Sequence, residues 1–409
     1  MPTTWRLRWE APGDRHWVEY GREDPLEGRT AVRATPGGLV RLPAGEWIVR
    51  AVSEGSGGRR EGPVLDVHVP PPPPNLGAFQ VVQSRPEAEM NDLLLLFNQY
   101  DMTDRWSWVA VVDGRGEHRW YLPGPPAPWK INRAQVGPEG DPWYATYHWD
   151  REVDWGTLHH VGWDGDSAGL WSLPEQHHDF VVEPGAVHWL SWVYRDEPMP
   201  GTDAAVATDA VRRRALDGGE AEVLWSVLDG WVEPYTPCSH ARDPKFRPGF
   251  LEFTHGNSLV AVGDEWWVML RYLDQLIAID RDTGEVNWAL GGPGADVVFE
   301  GEPFSHPHFS EGWPGGLLVF DNGSHRADPV SRAVEYALED GVAREVWSFA
   351  HPDGEHVPFL GDVRSLPGGN RLVVWSSLGA LMEVTPDGSV VWEAHTTDVV
   401  GRVTVLPAQ

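Results

Sequence analysis

Six stretches of the chain share one form: an apolar run, an Asp/Gly turn, a second apolar run and a closing tryptophan. They are VVDGRGEHRW ending at Trp120, VGWDGDSAGLW at Trp171, ALDGGEAEVLW at Trp225, IDRDTGEVNW at Trp288, ALEDGVAREVW at Trp347 and EVTPDGSVVW at Trp392. The steps between these tryptophans are 51, 54, 63, 59 and 45 residues. Asp and Gly tolerate positive φ, so each stretch reads as a β-hairpin, with the tryptophan as a wedge against the next unit. A repeat of about fifty residues, long enough for four short strands, is the pattern of a β-propeller, and six copies predict six blades.

Composition agrees with an all-β fold. Of 409 residues, 41% are hydrophobic, enough for a sizeable core, while 45 Gly, 36 Pro and 24 Trp favour short strands and tight turns over long helices. The formal charge of −29 argues against nucleic acid as a partner, because a phosphate backbone needs clustered cations and only VRRRA at 211–215 is locally basic. The same excess repels an anionic membrane surface, and no run is long enough to insert. One cysteine, Cys238, allows no intrachain disulfide and reads as a small buried residue. MPTTWRLRWE has no apolar leader core, so the expected location is cytoplasmic, or periplasmic or secreted if a leader had been removed. The oligomeric state is left open.

Five consecutive prolines, Pro70 to Pro74, predict a stiff spacer over residues 70–75. Before it, residues 1–69 alternate as WRLRWEA, HWVEYGR, GLVRLPAGEWIVRAVSE and VLDVHV, which predicts a small β-sandwich resembling a fibronectin type III domain. Residues 76–409 hold the repeats and are assigned to the propeller.

Aligning the repeats on their hairpins also aligns the segments ahead of them: KINRAQV, HHDFVVE, THGNSLV, HPHFSEG and LGDVRSL. Asn132, Asp179, Asn257, His308 and Asp362 then share one slot at the start of each blade's first strand. His177, His255 and His306 share the position two residues earlier, and spacing leaves open which of His177 and His178 points inward. Inner-strand starts converge in a propeller, so His178, His255 and His308 are expected to line one funnel, with Arg271 and Arg326 reaching the same space. Imidazoles and guanidiniums beside aromatics suit a small anionic or aromatic ligand. The plainer alternative for each histidine is a hydrogen bond tying blade to blade. His159, His160, His188, His240 and His325 lack the register and are expected to be structural or exposed, with His325 inert. Three imidazoles can hold zinc or copper, but no HExxH or cysteine-based pattern accompanies them, so no cofactor is expected.

The motifs HHDF (177–180), THGNSLV (254–260), AIDRDTGEVNWALGG (278–292), FSHPHF (304–309), LLVFDNGSHR (317–326), SRAVEY (331–336) and LPGGNRLVVW (366–375) resemble those of the bacterial arylsulfate sulfotransferase family. The resemblance covers roughly residues 90–405. It implies a six-bladed propeller with a small N-terminal β-domain, and sulfuryl transfer between phenols through a sulfated histidine, without a nucleotide donor. His308, His255, Arg326 and Arg271 fall on family positions; His308, His255 and His356 are the expected catalytic residues, with His351, like His356 out of register, a further nucleophile candidate. His178, Arg271, Arg326, Asn257 and Arg332 would bind substrate. Where family members place a late-blade histidine, this chain has Gly361 and Asp362. That departure keeps two alternatives open: a non-catalytic ligand-binding propeller, and a metal-dependent lyase or oxidase using the same histidines.

Overall fold

The computed structural model describes residues 4–6, 15–22, 30–33, 39–101, 103, 106–148, 156–198, 202–229, 238–241 and 249–407. Among them the chain is all-β, its helical pieces being short 3-10 turns.

From Phe79 onward the described strands form six antiparallel four-stranded sheets, three with one added outer strand. The first sheet holds Leu93–Tyr100, Ser107–Asp113 and His118–Pro123, and the late strand Val399–Pro407 pairs with the free side of Leu93–Tyr100. The other five begin with Trp129–Val136, Gln176–Glu183, Gly256–Val262, Pro307–Trp313 and Asp362–Ser365, each followed by three more strands in sequence order. These first strands lie against one another in succession, and Val399–Pro407 touches both Asp362–Ser365 and Trp129–Val136. The sheets thus stand side by side around a common line, each remaining open.

The repeated hairpin is the pair farthest from the common line in each four-stranded set, and its closing tryptophan packs into the layer shared with the next one. Trp120 packs with Ile131, Tyr144 and Trp163 of the second sheet, and Trp171 packs against Phe180 and Trp189 of the third. Trp225 meets Leu259 and Trp266 of the fourth, and Trp392 meets Leu95 and Val112 of the first. Trp288 and Trp347 occupy the corresponding layers. In three of the six the indole also donates across the layer: Trp120 Nε1 to Trp163 O at 2.9 Å, Trp171 to Leu216 O at 3.0 Å, and Trp392 to Gly114 O at 2.7 Å. A large apolar wedge with a satisfied N–H is what makes tryptophan suitable here.

Toward the N-terminus, strands Arg15–Gly21, Thr30–Arg33, Gly45–Gly55, Gly58–Glu61 and Leu65–Val69 make one sheet, and Thr4–Arg6 pairs with Leu39–Arg41. Val18, Tyr20, Val40, Leu42, Val49, Val67 and Val69 form their own core. Pro70–Pro73 carries no regular structure, as consecutive prolines without N–H donors dictate.

Candidate active site

Near the start of the first strand in four successive sheets, one residue turns into the left-handed region: His178 (φ 49), His255 (φ 53), His306 (φ 53) and Leu360 (φ 58). Such φ values are costly for residues with a Cβ and collect at functional sites. The shared conformation puts His178, not His177, in register with His255 and His306. His177 instead lies 3.1 Å from Asp209 through Nε2 and stacks on Trp192.

The imidazoles form two groups. In the first, the His178 ring centroid is 4.6 Å from His255 and 6.5 Å from His308. His308 Nδ1 donates to Gly361 O at 3.2 Å, which leaves Nε2 as its lone-pair nitrogen. His255 Nδ1 lies 2.9 Å from Glu252 Oε1. Burial, followed by the His255 charge, pushes His178 well below the usual imidazole range. Burial, then Arg271 and Arg402, does the same to His308. Both are neutral at pH 7, the form in which imidazole is a nucleophile.

The second group lies across Tyr272, whose ring is 4.6 Å from His255 and stacks on His306 at 5.4 Å. His306, His240, His325 and Cys238 meet there. Cys238 Sγ is 3.0 Å from His325 Nε2, 3.5 Å from His240 Nδ1 and 3.8 Å from His306 Nε2. His325 Nδ1 reaches Asp274 Oδ2 at 2.8 Å, and this bond, with Cys238, pushes His325 up to about 10. Arg271 is buried between the groups. Its Nε and one terminal nitrogen donate to His306 Nδ1 at 3.1 and 2.9 Å, and the latter also reaches Pro358 O at 2.5 Å. Burial lowers Arg271 to about 10, so it stays cationic at pH 7.

The remaining predicted site residues are placed differently. His356 is half-buried, with Nε2 3.0 Å from Ser324 Oγ, and burial followed by the Arg271 charge lowers its pKa. His351 packs edge-on to Trp375. Asn257 donates to Pro307 O at 3.0 Å and holds the fourth sheet to the fifth. Arg326 and Arg332 do not reach the imidazoles. Both are bound to buried Asp321, at 2.5 and 3.0 Å, and to Glu302. A carboxylate inside the fifth sheet claims both guanidiniums. His325, expected to be inert, His240, expected to be structural or exposed, and Cys238, expected to be a plain core residue, stand at the centre of the second group.

Gly361 has φ 101, and a Cβ there would fall into the Phe320 ring, so the fold excludes a side chain at that position. Asp362 is used by Val403 N, which donates to its Oδ2 at 2.7 Å. Deeper along the common line, Arg133 and Arg402 pair with Asp179, and Arg402 lies over Phe309 at 4.7 Å. Arg402 and Tyr272 escaped the sequence reading because nothing in their local pattern marks them. The Cys-x-His spacing at 238–240 was the one available signal for Cys238 and His240.

Residues 240–397 match the family model described as Arylsulfotransferase (ASST). No curated protein matches the sequence. Among solved structures, the chain is similar to a protein of unknown function from Bacteroides caccae, at 15% identity and TM-score 0.44, over 77% of this chain and 99% of that one. It is also similar to BamB from Moraxella catarrhalis, at 10% identity and TM-score 0.37, over 91% and 89%. A virginiamycin B lyase from Staphylococcus aureus shares 13% identity at TM-score 0.35, over 63% and 68%.

Proposed function

We propose, for a chain that belongs through residues 240–397 to the arylsulfotransferase family, a transferase that moves a sulfuryl group from one phenol to another on an imidazole, without a nucleotide donor. In this reading the six sheets are the blades of a propeller spanning 76–409. Residues 70–75 are its linker, and residues 1–69 are a fibronectin type III-like sandwich. The ligand is a small aromatic anion. The observation that carries the reading is the convergence of His178, His255 and His308 from three sheets beside the Arg271 cation.

His308 is the nucleophile. Its Nδ1–H is held by Gly361 O, so neutral Nε2 attacks the sulfur of an aryl sulfate, and the S–O bond to the ring breaks. The departing phenolate takes its proton from His255, which Glu252 orients. An acceptor phenol then returns a proton to His255 and attacks the sulfo-imidazole, breaking the N–S bond. Arg271 and Arg402, which already act on His308 electrostatically, offset charge on the transferring group.

Incubation with p-nitrophenyl sulfate and a phenol acceptor should release p-nitrophenol, and without acceptor a histidine peptide should gain the mass of one sulfuryl group. Absence of both sinks the reading. A binding module without turnover is favoured by one observation: His308 ties the fifth sheet to the sixth, as other members of its slot do for theirs. Thermal stabilisation by p-nitrophenyl sulfate with no product would select it.

A further inference from the structure

Sulfuryl transfer makes no use of Cys238, yet the fold brings three imidazoles to its sulfur. Cys238 and His240 come from one loop, His306 from the start of the fifth sheet's first strand, and His325 from just beyond its second. One donor atom from each lies within 4.8 Å of all the others. We infer that Cys238, His240 and His325 are the ligands of a first-row transition metal ion of zinc's borderline softness, with His306 facing its fourth position.

Hydrogen bonding does not fully account for the cluster, since a thiol has one proton to give and its sulfur accepts only weakly, whereas three ring nitrogens approach this one. A tetrahedral ion does. With Zn–S near 2.3 Å and Zn–N near 2.0–2.1 Å, sulfur and nitrogen ligands stand about 3.5 Å apart. His325 and His240 lie 3.0 and 3.5 Å from the sulfur, at or somewhat inside that value, while His306, outside the ligand set, lies at 3.8 Å. The surroundings are also those of a metal ligand. His325 directs its second nitrogen at Asp274, 3.0 and 2.8 Å from the two oxygens, an arrangement that orients an imidazole and strengthens it as a donor. No carboxylate oxygen belongs to the set, which disfavours magnesium and calcium and suits zinc, cobalt, iron or copper.

His306 differs from the other two imidazoles. Arg271 donates to its Nδ1, so the neutral ring carries its proton on Nε2, the nitrogen turned toward the cluster. It offers the fourth position an N–H rather than a lone pair. That is the setting for a bound water or anion at an open coordination site. Binding the ion converts the thiol to thiolate, and the proton between Sγ and His325 Nε2 is released to solvent.

The full chain, stripped with a chelator and titrated with Co2+, should take up one ion. It should then show a thiolate-to-cobalt charge-transfer band in the near ultraviolet and the visible bands of a tetrahedral site. Cys238→Ser should lose the charge-transfer band while keeping native near-ultraviolet circular dichroism. Zn2+ should shield Cys238 from a thiol reagent in the unmodified protein. His306→Ala should keep one ion with a shifted visible spectrum. Folded protein that takes up no Co2+, with a thiol equally reactive with and without Zn2+, overturns the site. Loss of the ion in folded His306→Ala overturns the three-ligand assignment. Aryl sulfate turnover in metal-free protein would leave the sulfuryl-transfer reading standing either way.

Discussion

Asp321 shows how a single buried group can redirect chemistry expected elsewhere. It is fully buried in the fifth sheet, and burial raises its pKa despite two arginines. Ser305 N and Gly323 N also donate to it, so Asp321 organises the turn that carries His306 and His325 as well as pairing with Arg326 and Arg332. Removing one partner from such a pair leaves an uncompensated charge inside the protein, at a cost of about 3–5 kcal/mol. Arg332→Ala leaves Arg326 still paired to Asp321, so it should lower stability by less than that in urea titration, while KM for an aryl sulfate stays unchanged. A raised KM at unchanged stability would put Arg332 in the pocket after all.

At the scale of the strand, the shared slot has a mechanical role. Asn98 donates to Ile131 O at 3.2 Å, Asn132 to Gln176 Oε1 at 3.1 Å, and Asn257 to Pro307 O at 3.0 Å. Leu259 N donates to Asp179 at 2.7 Å, His308 to Gly361 O at 3.2 Å, and Val403 N to Asp362 at 2.7 Å. Each link joins one sheet to the next, and together they run through all six. A buried hydrogen bond of this kind contributes about 1 kcal/mol, more when its loss strands a partner. Asn257→Ala should cost roughly 1–2 kcal/mol on that basis, read from the urea midpoint. His308 combines the tie with a reactive nitrogen, and the two roles are separable. His308→Asn can still donate to Gly361 O and should keep near-native stability with no sulfuryl transfer, whereas His308→Ala should lose both. An asparagine variant with native turnover would remove His308 from the mechanism.

The whole array depends on Val399–Pro407, which joins sequence-distant ends within one sheet. It carries buried Val400, Val403 and Arg402, the last paired to Asp179 of the third sheet. Ending the chain at Asp398 strips these contacts together, and the product should lack a cooperative unfolding transition; a sharp native-like transition would show that the sheets stand without it. Acid acts on the molecule more broadly. Burial lowers His118, His159 and His188 to about 4 each, below the ordinary imidazole value of 6.5. An unfolded chain binds more protons than the folded one between these values, so the stability these groups confer is complete above about 6.5 and lost as pH falls toward 4. Urea midpoints should drop across that window, and His118→Gln should flatten part of the drop. A flat profile would contradict neutral burial of these rings.

The six hairpins, their tryptophan wedges and the convergence of His178, His255 and His308 were legible in the sequence, because a repeated Asp/Gly turn fixes hairpin register and a common register fixes which strand starts face one another. No transmembrane run was found, and none of the described helices is long and apolar enough to cross a membrane. What sequence could not decide were the partners of each polar tip. Arg326 follows FDNG in register, yet its guanidinium is drawn to Asp321, five residues away along the chain and buried by packing no local pattern shows. His325 and Cys238 are 87 residues apart, and only the packing of the Cys238 loop against other sheets brings sulfur and imidazole together. Periodicity specifies elements and faces, whereas the meeting of side chains from different sheets depends on how those faces dock, and that is a property of the tertiary structure alone.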